Sequence, residues 1–108
     1  MIKNITNGEV ISEKVKLAKS FSDKTFGMIL SRNSGGLMFK TRFGIHTFFM
    51  KKSIDVIVLD KEDRVRQISE DLKPNNIFLW NPKFNTIIEL PHGSIKSSKT
   101  KVGDSLKF

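Results

Sequence analysis

The stretch "IDVIVLDKEDRVRQI", residues 54–68, decides the fold. Its core "VIVL" is an unbroken run of β-branched and aliphatic residues, too short for a buried helix and without the alternation of a half-wet strand. It therefore reads as a strand covered on both faces, at the centre of a sheet. "DKED" at 60–63 is polar and short, so it should return the chain as a hairpin into "RVRQI". One aspartate, Asp55, stands at the entry of the apolar run, where burial of an unpaired carboxylate would cost several kcal/mol.

Further β signals flank this hairpin: "LMFK" after the glycines at 35–36, "IHTFFM", "NTIIEL" and "SLKF", with turn-forming residues between them. Val15 and Leu17, separated by lysine, alternate as a half-buried strand does. Pro74, Asn75 and Asn76 open an irregular connection through Trp80 and Pro82, residues ill suited to a central strand. One helix is expected over residues 21–31, with Ser20 or Ser22 as cap and Asp23 in its first turn. Several short strands with a single helix predict a mainly β fold, a sandwich of jelly-roll type or a partly closed barrel, forms that hide strand edges. Gly93 and Gly103 read as turn residues that need positive φ or a tight bend.

The chain has 108 residues and 38% hydrophobic residues, enough for one domain, 1–108, with one core. It lacks cysteine, which excludes disulfides, thiolate metal sites and a cysteine nucleophile. No apolar run is long enough for a signal peptide or a membrane span, so the expectation is a cytoplasmic protein without a membrane partner. The formal net charge of +8 raises nucleic-acid binding. The lysines are scattered and alternate with apolar residues, as on the wet face of strands, which disfavours that reading. Phe39, Phe43, Phe48, Phe49, Phe78 and Trp80 read as core rather than as stacking platforms, since so short a chain has little else to fill it.

The ordered set "FGMILSR" at 26–32, "GGLMF" at 35–39, "IHTFFMKKSIDVIVLD" at 45–60, "ELPHG" at 89–93 and "VGD" at 102–104 resembles the DUF192 family. The resemblance implies a small β-rich sandwich with one short helix near the N-terminus, and it brings no established activity. Phe49 stands where many members have Trp, and His92 stands where Ala is common.

Candidate site residues are His46, Asp55, Glu89 and His92, with Phe48 and Met50 as apolar wall. His46 with Asp55 would make a base and its orienting carboxylate if the two shared a sheet face. On the assumption that 46–50 and 54–60 pair as a hairpin, a "MKKS" loop puts them on one face and a "KKS" loop on opposite faces. Glu89, late in an apolar strand, is either edge protection or the rim of a pocket. Two histidines 46 residues apart lack any local metal-ligand spacing, so no metal and no cofactor are expected. The leading expectation is a binding domain for a small ligand or a protein partner, without established catalysis. The alternatives are a small enzyme using His46 as general base with Asp55 or Glu89, and a basic nucleic-acid-binding domain.

Overall fold

The computed structural model describes residues 1–17, 36–40, 44–46 and 52–108. The expected helix over 21–31, with Gly27, lies outside the described residues. The described chain is mainly β. It begins with β1 (Ile2–Asn4), β2 (Val10–Ser12) and β3 (Val15–Leu17), and continues with β4 (Gly36–Lys40) and β5 (Gly44–His46). Then follow β6 (Ile54–Leu59), β7 (Val65–Leu72), β8 (Ile77–Leu79), β9 (Thr86–Pro91), a short helix α1 (Ser94–Ser98) and β10 (Leu106–Lys107).

A five-stranded sheet of order β3-β4-β9-β6-β7 forms the middle of a sandwich and does not close into a barrel. β6 is antiparallel to β9 on one side and to β7 on the other, and every one of its residues is buried. The unbroken "VIVL" run follows from this placement: each side chain meets a core, and each one removed from water contributes about 1.5–3 kcal/mol. One core joins Ile57 and Leu59 to Ile88 and Leu90, and is covered by Ile2, Ile11 and Leu106 of the β10-β1-β2 sheet and by Ile95 of α1. The other core joins Ile54, Val56 and Val58 to Leu37, Phe39 and Ile87, and is covered by Ile45 and Trp80 of the β5–β8 ribbon segment. Phe78 packs against this second core. Trp80 resolves its own polarity by donating its indole N–H to the Phe84 carbonyl at 2.8 Å.

The "DKED" hairpin forms as read. Asp60 organises it: its carboxylate accepts the Glu62 and Arg64 amides at 2.9 and 3.0 Å and the Arg66 guanidinium at 2.7 Å. Burial pushes the Asp60 carboxyl up, but the Arg64 amide, the Arg66 guanidinium and the Glu62 amide outweigh it and hold it below the usual 3.8. Asp63 completes the turn in the left-handed region, at φ 59°, a conformation that aspartate tolerates through local hydrogen bonding.

Two sequence expectations are corrected. A hairpin between 46–50 and 54–60 has no edge to join, because β9 and β7 occupy both sides of β6 from Ile54 to Leu59. β5 pairs instead with β8, His46 opposite Ile77, so the choice between "KKS" and "MKKS" loops falls away. Glu89 is not edge protection either, since β9 lies between β4 and β6. Gly44 shows why β5 and β8 approach so closely: a Cβ there would lie 2.7 Å from the Phe78 carbonyl oxygen.

Candidate functional site

The register of β6 on β9 separates the two candidate carboxylates. Asp55 stands opposite Leu90, and Val56 opposite Glu89. Asp55 therefore shares the face of Ile57 and Leu59, whereas Glu89 shares that of Val56 and Ile87, with the sheet between them. They cannot serve one site. Glu89 is 2% exposed, in the middle of the second core face.

Asp55 is fully buried, yet its charge is met on all sides. Oδ2 accepts the Gly93 amide at 3.1 Å and the Ile95 amide at 2.9 Å, at the start of α1, and Oδ1 accepts the Asp71 amide at 2.9 Å. Three charge-assisted hydrogen bonds from backbone offset the loss of hydration. One side chain thus ties together β6, the end of β7 and the turn after β9.

The turn is shaped to deliver those donors. Gly93 takes φ 95°, so the amides of Gly93 and Ile95 can both face the carboxylate. On the other side a β-bulge does the same work. Ile54 pairs with Leu72 but Val56 with Ser69, so Glu70 and Asp71 together oppose Asp55. Asp71 sits in this bulge at φ 56°. Its amide turns inward to Asp55, and its carboxylate stays at the surface, where it meets the Lys73 ammonium at 2.7 Å. The Lys73 ammonium, and after it the Ser53 hydroxyl, hold the Asp71 carboxyl below its usual 3.8.

His92 closes the group. Its Nδ1 lies 3.6 Å from Asp55 Oδ1 and 3.5 Å from Asp71 Oδ1, and its side chain is 58% exposed. These separations are longer than hydrogen bonds, so the carboxylates act on the ring through their field. Both lie on the Nδ1 side of the ring.

The structure brings together Asp55 and His92 from the sequence-derived set, and adds Asp71, Lys73 and Ser53, which sequence reasoning missed. A usable sign was the break of alternation in "SEDLKP" at 69–74, where an aspartate that tolerates positive φ precedes a proline turn. Glu89 stands apart on the other face. The His46 side chain, Phe48 and Met50 lie outside the described residues. Among the described residues, no group of three His, Asp or Glu side chains is arranged to hold a metal ion. No described helix is long and apolar enough to cross a membrane.

The comparisons with known proteins agree with this architecture. A UPF0127 protein of Pyrococcus abyssi is 41% identical over 102 residues, covering 88% of this chain and 86% of that protein. A UPF0127 protein of Pyrococcus horikoshii is 35% identical over 114 residues, covering all of this chain and 98% of the other. A crystal structure of a protein of unknown function from Novosphingobium aromaticivorans matches with a TM-score of 0.74 at 16% identity, over 87% of this chain and 74% of that one. A Sinorhizobium meliloti chain, described as a candidate transcription regulator, matches at 0.75 and 20% identity, over 86% and 79%. At such identities these two structures speak to the fold alone. The model of the DUF192 family, described as an uncharacterized ACR, matches residues 2–108, and the chain belongs to that family.

Proposed function

We propose that the chain is a single-domain binding module acting in the cytoplasm, and that it recognises a small polar ligand at the rim formed by Ser53, Asp71, Lys73 and His92. One observation supports this most: a half-exposed imidazole is set against two carboxylates on its Nδ1 side. That arrangement favours Nδ1 as the protonated nitrogen of the neutral ring, with the Lys73 ammonium nearby as a further donor and the Ser53 hydroxyl engaged by Asp71. The rim rests on the Asp55 hydrogen bonds, which fix the bulge and the turn relative to each other. Pre-organisation of this kind lowers the cost of binding.

The test is titration of the labelled protein with small carboxylates, phosphates and amines, followed by amide nuclear magnetic resonance. Saturable shifts at Ser53, Asp71, Lys73 and His92 to Ile95 that vanish in His92→Ala support the reading. Shifts that map elsewhere, or no saturable shift from any of the three classes, overturn it.

Among the described residues the enzymatic alternative rests on His92, whose Nδ1 lies 3.6 Å from Asp55; the His46 side chain lies outside them. Both separations here exceed hydrogen-bond reach, as catalytic pairs often do before substrate binds. Binding is the reading that asks less of the site, since it requires no proton transfer.

A further inference from the structure

We propose that the outer face of the β10-β1-β2 sheet docks on an anionic phospholipid surface. Its inner face, with Ile2, Asn4 and Leu106, is buried. The register fixes what the outer face presents. Lys3 stands opposite both Val10 and Lys107. Ser105, two residues before Lys107, donates and accepts at the next row: its carbonyl takes the Ile5 amide at 2.9 Å, and it bridges to Arg64. The buried neighbours Asn4, Val65 and Leu106 place Ile5, Arg64 and Lys107 on the outward side of the alternation.

The face thus carries three cations, Lys3, Arg64 and Lys107, interleaved with Ile5 at 53% and Val10 at 40% exposure. Among the described residues, no acidic one is at its paired positions; Glu9, beside Val10, and Asp63, whose carbonyl accepts the Leu106 amide, border it. One fact sets this face apart from ordinary wet strands. Lys3 and Lys107 are directly opposite each other, a like-charge pairing that costs stability in an antiparallel sheet.

An anionic partner removes the cost of the like-charge pair. Lipid suits the face better than nucleic acid does: its apolar members are aliphatic, fit for shallow contact with the interface, and its register positions hold no aromatic ring for base stacking. This is attachment to a surface, not a span, and it is independent of the His92 rim.

The experiment is vesicle co-sedimentation of the full chain, with phosphatidylcholine alone and with an equimolar mixture of phosphatidylcholine and phosphatidylserine. Binding is expected only to the mixed vesicles, falling as salt is raised. Each cation neutralised should weaken partitioning about fivefold, and Lys3→Gln, Arg64→Gln and Lys107→Gln together about a hundredfold. Ile5→Ser should weaken it while leaving salt dependence intact. Lys52→Gln, Lys61→Gln and Lys83→Gln together remove the same charge elsewhere and should change it little. Equal loss in both triple variants, equal binding to the two vesicles, or tighter binding to a single-stranded oligonucleotide at the same salt would overturn the proposal; thermal melting confirms that each variant is folded.

Discussion

Two buried aspartates stand at the two ends of α1, and they solve the same problem differently. Asp55, before the helix, takes three backbone amides and turns one oxygen toward the exposed His92. Asp104, beyond the helix, is 3% exposed and takes the Lys101 amide at 3.0 Å and the Asn4 amide side chain at 2.8 Å. Asn4 in turn donates to Thr100, and its oxygen accepts the Thr6 and Asn7 amides. Ser98 Oγ lies 2.7 Å from Thr100 Oγ1 and completes the group. Among the described residues every partner of Asp104 is interior or backbone. A closed network of this sort specifies how chain segments meet. The Asp55 network does that and also holds an ionisable side chain at the surface, and in that difference lies the case for a site.

The largest expected effect comes from emptying the open network. Asp55→Ala leaves three backbone amides, that of Ile95 buried and those of Asp71 and Gly93 partly so, without an acceptor and should cost about 3–5 kcal/mol, measured by urea unfolding. A cost below about 1 kcal/mol would mean that water replaces the carboxylate and that Asp55 does not fix the rim. The closed network should respond somewhat less. Asn4→Ala deprives Asp104 of a donor and two loop amides of their acceptor, for about 2–4 kcal/mol, but should leave the chemical shifts of His92 unchanged. If His92 shifts move, the two networks are coupled through α1 and the contrast between them fails.

Acid should separate the ion-paired carboxylates Asp60 and Asp71 from the two interior networks. Asp60 and Asp71 are both held below 3.8 in the folded chain. A lowered carboxyl contributes stability that is complete above its unfolded value and is lost as pH falls through the folded one. Melting temperature should thus be flat through the neutral range and drop below about pH 4. Asp60→Asn should flatten part of that drop. An unchanged acid limb would show that the β6–β7 turn contributes nothing to it.

The sequence made the central hairpin legible because its information is local: a continuous apolar run, a polar turn and a return strand. Gly93 and Gly103 at positive φ were legible for the same reason. The strands β1 and β2, the helix α1 and the β5–β8 pairing were not, since each is three to five residues long and gains its stability from the core it covers. The site shows the same division. Asp55 stood out as a lone carboxylate in an apolar run. Its partnership with His92 depends on β6 lying beside β9, a pairing between segments far apart in sequence that no spacing rule encodes. The assumed neighbour in sequence, the His46 strand, pairs elsewhere.

The smallest effect on stability tests the contrast most directly. His92→Ala removes a half-exposed ring whose contacts with Asp55 and Asp71 are longer than hydrogen bonds, so unfolding free energy should change by no more than about 0.5–1 kcal/mol. The ring itself should report its surroundings. Nitrogen shifts of labelled histidine should place the proton of the neutral form on Nδ1, facing the carboxylates, and Asp71→Asn should shift the balance toward Nε2 because one of the two charges is gone. A neutral ring already protonated on Nε2 would mean that the carboxylates do not orient it. His92 would then be an ordinary surface histidine, Asp55 would be as closed a network as Asp104, and the reading of this rim as a recognition surface would lose its support.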